Sequence, residues 1–218
     1  MSRRAWHICT VILVMALASY TIWRSTLVLG LALAERETSP AAIEPRLSPY
    51  FDEPETGVPA RLDALADNED LDPARKIEAI SQLLALEPLA SRAWLELASA
   101  RLAVGAGMDV TAASLRMSAV TGPNESVIMA DRALFSLPLW VGLPEDLHRR
   151  TITDLIGGQE RLEASDWLVI MLTLSAAPAP MRADLGSMLQ LSGEPGASVA
   201  TKLGLTPKIA TKQQSPMP

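Results

Sequence analysis

The stretch Leu84-Ala-Leu-Glu-Pro88-Leu-Ala-Ser-Arg-Ala-Trp94-Leu-Glu-Leu-Ala98 decides the fold, together with the pair Gly122-Pro123 that closes what it begins. Upstream, Asp72-Pro73 reads as a helix start, with Asp as cap and Pro in the first turn. Ile77, Ile80, Leu83, Leu84 and Leu86 follow at helical spacing. A residue before proline is pushed out of helical geometry, so Glu87-Pro88 ends that helix. Ser91 can cap the next, residues 92–104, which carries Trp94, Leu95, Leu97, Ala98 and Leu102 on one broad face, with Gly105 as its stop. Asp109 opens a third helix in which Ala113, Met117 and Val120 stand at i, i+4 and i+7 beside Leu115 and Ala119. Pro88 and Pro123 lie 35 positions apart, which is the interval expected of stacked helical hairpins.

Helical spacing continues downstream. Asn124 can cap a fourth helix with the stripe Val127, Ala130, Leu134 and Leu137. Leu137-Pro138-Leu139-Trp140 reads as a break, and Pro144 opens a helix that stops at Gly157-Gly158. Residues 159–175 follow, and their run Trp167 to Leu174 is apolar apart from Thr173. That run is too short to span a membrane and is expected to be a buried core helix. Residues 179–191 make another helix ended by Ser192-Gly193, then a short one near 197–203 precedes a disordered tail with Pro207, Pro216 and Pro218. Hydrophobic residues make up 49% of the chain but aromatics only 4%, and the excess is Ala and Leu. These favour helices over strands, so the fold class is all-α.

The N-terminus has a separate character. Residues 5–23 carry no formal charge and, at about 1.5 Å each, reach roughly 28 Å, enough for a hydrocarbon core of about 30 Å. Trp6 and Trp23 sit at the two ends, where an interfacial aromatic belt would place them. Ending the span at Trp23 moves Arg24 to the interface. Ala16-Leu17-Ala18 and Ala32-Leu33-Ala34 both match a signal-peptidase pattern, but the first leaves a short apolar core and the second encloses Arg24. A single-pass anchor over residues 1–34 is therefore expected. Arg3 and Arg4 put its N-terminus in the cytoplasm and the helical domain outside the inner membrane, in the periplasm.

Residues 35–59 place Pro40, Pro45, Pro49, Pro54 and Pro59 among Glu, Asp, Ser and Thr, so an extended acidic linker is expected there. The helical domain then covers residues 60–191, with a short helix and tail over 192–218. Net charge is −6, with no Lys/Arg run to neutralise phosphates, which argues against a nucleic-acid partner. Cys9 is the only cysteine, leaving the folded part no disulfide or thiolate zinc site.

Chemistry-bearing patterns are few. Asp52, Glu53 and Glu55 could pair as acid and base, but a linker can neither hold nor desolvate them. His148 beside Glu145, Asp146, Arg149 and Arg150 reads as a solvated helix face. Asn124-Glu125-Ser126 matches a glycosylation sequon, though a helix cap accounts for Asn124. Trp94, Trp140 and Trp167 could form a sugar platform and are read as core residues. Serine-nucleophile elbows, phosphate loops and H-E-x-x-H are absent from the sequence. No catalytic, cofactor-binding or metal-ligating residue is predicted, and no enzyme activity is expected.

Trp94, Leu97, Ala98 and Pro123 resemble the tetratricopeptide (TPR) pattern, while Arg101 and Thr111 depart from it and residues 105–108 lengthen its turn by one residue. One hairpin with flanking halves is readable. In that kind of fold the concave groove reads a partner peptide, and the resemblance would give this task to Arg92, Arg101, Arg116 and Arg132. More widely, Pro88, Ser91, Ala93, Trp94, Leu97 and Ala98, then Gly122-Pro123, then Leu137, Leu139, Trp140 and Leu143 resemble the single-pass accessory proteins of bacterial exopolysaccharide and capsule biosynthesis. The likeness covers about residues 70–160. It implies a non-catalytic, membrane-anchored scaffold or adaptor working with protein partners in polysaccharide assembly or export. The alternative keeps the fold and changes the partners, to an assembly factor for another cell-envelope or cytochrome-maturation complex.

Overall fold

The computed structural model describes residues 3–35, 50, 57–66 and 71–205. All of its regular structure among these residues is helical. The chain divides into two compact units, Met1–Pro88 and Leu89–Pro218. The division falls at Pro88, inside the stretch Leu84 to Ala98. Most of the acidic linker, with Asp52, Glu53 and Glu55, and the tail beyond Leu205 lie outside the described residues.

In the first unit, α1 (Arg3–Glu35) is one long helix. Within it Val11–Gly30 is long and apolar enough to cross a membrane, and none of it is buried. The window runs past the expected end at Trp23 and takes in Arg24. Two of its threonine hydroxyls are satisfied locally: Thr21 Oγ1 donates to Ala18 O at 2.9 Å and Thr26 Oγ1 to Trp23 O at 2.6 Å. α2 (Gly57–Ala66) and α3 (Pro73–Leu86) pack as a pair. α2 begins at Gly57, so the last residues assigned to the linker are helical. Ile80, Leu83 and Leu84 of α3 are buried as the spacing predicts, whereas Leu86 is exposed.

The second unit holds α4 (Ser91–Ala103), α5 (Met108–Thr121), α6 (Ser126–Ser136), a 3-10 turn over Leu137–Gly142, α7 (Glu145–Gly158), α8 (Ala164–Ala176), α9 (Ala179–Leu191) and α10 (Gly193–Lys202). α4 pairs with α5, α6 with α7, and α9 with α10. Gly105 ends α4 at φ 72°, a conformation open to glycine, and its N–H together with that of Ala106 closes the last turn onto Leu102 O and Arg101 O.

The first two pairs reuse positions. Ala98 and Ala133, 35 residues apart, are both fully buried on the first helix of each pair. On the second helices Thr111 and Thr151, Leu115 and Leu155, and Ser118 and Gly158 recur 40 residues apart, and all six are buried. The five extra residues are accommodated by the 3-10 turn. At Gly158 a residue without a side chain is needed because the helices meet closely. A Cβ on Gly158 would stand 2.5 Å from the backbone nitrogen of Ala130.

Burial corrects two faces. The stripe Ala113, Met117 and Val120 of α5 points outward, with Val120 72% exposed, while Thr111, Ser114, Leu115 and Ser118 face the core. On α8 only Trp167, Ile170 and Leu174 are buried, and Leu168, Val169, Met171 and Leu172 are exposed, so this is a half-covered helix. Two apolar clusters result. Leu95, Ala98, Ala112, Leu115, Ile128, Leu143 and Leu147 fill one. A larger one joins α6 through α10 around Trp140, Leu155, Trp167, Ile170, Leu185 and Val199.

Candidate functional site

The chemistry that the fold assembles lies in polar groups set between helices. The most enclosed is Arg132 on α6, which is 1% exposed. Its Nε donates to Asp154 Oδ2 and its Nη2 to Asp154 Oδ1, both at 2.9 Å, making a bidentate pair with α7. Nη1 donates to Ser118 O at 3.0 Å and Ser118 Oγ at 3.2 Å, and Nη2 also donates to Gly122 O at 3.0 Å. All five guanidinium protons are thus engaged. Arg150 joins from α7 itself, donating through Nε and Nη2 to Asp154 Oδ1 and through Nη2 to Pro123 O at 2.7 Å. One carboxylate and two guanidiniums therefore tie the C-terminal end of α5 to α6 and α7. Removing Gly122-Pro123 from helical geometry is what turns these carbonyls toward Arg132 and Arg150.

The four arginines expected to read a partner do not converge. Arg132 is saturated by this clasp and holds the two hairpins together, which corrects its assignment to a groove. Arg101 donates to Ser114 Oγ at 2.6 Å, within the α4–α5 pair. Arg116 is paired with Asp146 at 2.6 and 2.9 Å across α5 and α7, on the surface, and this hydrogen bond holds the Asp146 carboxyl below its ordinary range. Arg92 belongs to a further set of ionisable groups, drawn from successive hairpins.

That set centres on Asp131 of α6. Burial pushes its carboxyl up; Arg92 pulls the other way, Glu96 and Asp166 push it further, and Arg132 again opposes. These groups come from α4, α6 and α8, the alternate helices of the array. The result is a half-buried, mixed-charge set with an acidic excess around Asp131. Sequence reading missed it because Glu96, Asp131 and Asp166 lie 35 residues apart, one helix each; that 35-residue interval is the signal that could have found them.

His148 also changes role. Its ring stacks on Trp140 at 4.2 Å with an interplanar angle of 2°. Nε2 lies 2.7 Å from Trp140 O, and because a carbonyl only accepts, the proton sits on Nε2. Trp140 Nε1 donates to Asp184 Oδ2 of α9 at 3.3 Å. The histidine thus pins the 3-10 turn instead of facing solvent. Trp140 and Trp167 are core residues as expected, Trp94 is half-buried, and Lys202 Nζ sits 3.5 Å over the Trp167 ring. Asn124 is exposed and Glu125, one residue later, is the cap position of α6. Ser91 is not a cap either, and its hydroxyl donates to Glu125 Oε2 at 3.0 Å.

Among the described residues no group of three His, Cys, Asp or Glu side chains is placed to hold a metal. A shallow hollow of about 480 Å³ opens between α8, α9 and the end of α10, lined by Met171, Leu174, Arg182, Leu203 and Leu205. No protein family, curated protein or solved structure matches the chain.

Proposed function

We propose that the chain is a membrane-tethered, non-catalytic adaptor of bacterial extracellular-polysaccharide assembly, in which a TPR-like array outside the inner membrane holds a protein partner. The observation that carries this is the mixed-charge set around Asp131, drawn from α4, α6 and α8. Alternate helices of stacked hairpins offer one ionisable group after another along a shared face, which is how such arrays read an extended segment. The repeated positions Ala98/Ala133, Thr111/Thr151 and Leu115/Leu155 support the TPR-like reading. The unburied span Val11–Gly30 supports the tether. The resemblance carried by Trp94, Gly122-Pro123 and Trp140 supports the polysaccharide system over other envelope machinery.

The test is recovery of the full chain from native membranes in mild detergent, with identification of co-purifying proteins. Glycosyltransferases or a chain-length regulator are expected, and they should be lost from the pair Arg92→Glu with Glu96→Lys while far-UV circular dichroism is unchanged. Recovery of cytochrome-maturation proteins, or of no envelope-polymer component, overturns the assignment.

A further inference from the structure

We propose that the hollow between α8, α9 and the end of α10 binds a small amphipathic anion, a carboxylate or phosphate monoester on an aliphatic chain, whose charged end is held by Arg182. The lining argues for the chain. Met171, Leu174, Leu203 and Leu205 supply flexible apolar surface, and no aromatic ring lines the hollow for a sugar or a base to stack on. Its volume of about 480 Å³ falls within the roughly 300–1,000 Å³ of small-molecule sites.

Arg182 argues for the anion. Its Nη1 donates to Ala177 O at 2.8 Å, with Leu174 O and Ser175 O each at 3.5 Å, so this one nitrogen closes the C-terminal end of α8. The edge formed by Nε and Nη2 takes no acceptor among the described residues. Three other arginines of the same unit show what that edge takes. Arg116 sets Nε and Nη2 on Asp146, and Arg132 and Arg150 set theirs on Asp154. Such a planar fork matches an anion that offers paired oxygens. The remaining donors of the wall are spent, since Ser175 Oγ donates to Leu172 O, Gly204 N–H to Thr201 O and Leu205 N–H to Ala200 O. Residues 206–218 contain Lys208 and Lys212 and no Asp or Glu, so they bring no carboxylate side chain to this edge.

The walls are fixed by the fold itself. Gly204, at φ 67°, lets Leu205 N–H reach Ala200 O at 2.9 Å while its own N–H reaches Thr201 O at 3.0 Å, which closes the end of α10 in a Schellman motif. Leu205 then lies against Gly186 of α9, where a Cβ would stand 2.9 Å from Leu205 O. Leu203 and Leu205 pack on the larger apolar cluster, and Leu174, only 3% exposed, makes the floor. A wall held in this way has little freedom left to lose when a ligand enters.

The test is methyl NMR of the full chain in phosphatidylcholine nanodiscs, reading the Met171 ε-methyl, which is assigned by its loss in Met171→Leu. Octyl phosphate and octanoate should each shift it saturably. Octanol, which has the chain alone, and inorganic phosphate, which has the anion alone, should need free concentrations about tenfold higher or more. In Arg182→Gln the octyl phosphate response should weaken by about tenfold or more, as a charge-assisted pair is lost, while the buried Met129 methyl keeps its position and reports an intact fold. No saturable shift in the parent chain overturns the proposal, and this holds whether or not the variant folds. Equal responses to octyl phosphate and octanol, equal responses to octyl phosphate and inorganic phosphate, or a folded Arg182→Gln chain that binds as tightly as the parent overturn it as well.

Discussion

Replacing Arg132 with methionine keeps the length of the stem and deletes the guanidinium at the centre of the clasp. The folded state then retains a buried Asp154 with one cation, Arg150, and leaves Ser118 O and Gly122 O without the donors Arg132 supplied. Removing one partner of a buried ion pair costs about 3–5 kcal/mol. The remaining Arg150 pair offsets part of this, so a loss of about 3 kcal/mol is expected, toward the low end of that range. For a chain of this size that is a fall of roughly 6–12 °C in Tm. The double change Arg132→Met with Asp154→Leu removes both charges and should recover about 1–2 kcal/mol of the loss, leaving about 1–2 kcal/mol for the orphaned carbonyls. Urea or thermal unfolding of the full chain in detergent micelles, followed by tryptophan fluorescence, reads both. A single mutant that loses under about 1 kcal/mol, or a double mutant worse than the single, would refute the view that this ion pair joins the hairpins.

Four further outcomes separate the remaining contacts. Gly158→Ala drives a Cβ into the Ala130 backbone and should cost about 1–3 kcal/mol, whereas Gly157→Ala meets only the flexible end of Met129 and should be near neutral; unfolding midpoints of the two compare them directly. Arg116→Ala breaks an ion pair whose side chains are 43% and 47% exposed, so less than about 1 kcal/mol should be lost, and less still in high salt. Asp131 has a raised carboxyl pKa in the folded chain, so folding favours its protonated form: the penalty for its charge is full at neutral pH and is relieved as pH falls through the raised value toward the ordinary 3.8. Asp131→Asn should therefore stabilise at pH 7 and flatten that part of the stability curve, and a variant no more stable at pH 7 than the parent would contradict the cause assigned. Deleting residues 1–34 should move the chain from the membrane pellet to the soluble fraction after alkaline extraction, and continued pelleting would remove the role given to Val11–Gly30.

The helices were legible because their ends are written in residues with local effects. Pro88, Gly105, Pro144 and Gly193 each act on the backbone within one turn, and the observed boundaries follow them closely. The faces were less legible because hydrophobicity tells which side chains prefer burial, not which helix surfaces the packing can admit. On α5 close approach selects Thr111, Ser114 and Ser118 for the interior, and Ser118 earns its place by accepting from Arg132, so Ala113, Met117 and Val120 are turned to solvent. On α8 one side is enough for the core, and the apolar residues of the other stay exposed. The arginines failed as a group for a related reason: a guanidinium in the sequence carries no mark of whether its acceptors are a partner's or the chain's own. Asp154 and the carbonyls of Ser118, Gly122 and Pro123 meet Arg132 and Arg150 only once the hairpins stack, and that stacking makes Arg132 structural while leaving Arg92 among the charges around Asp131.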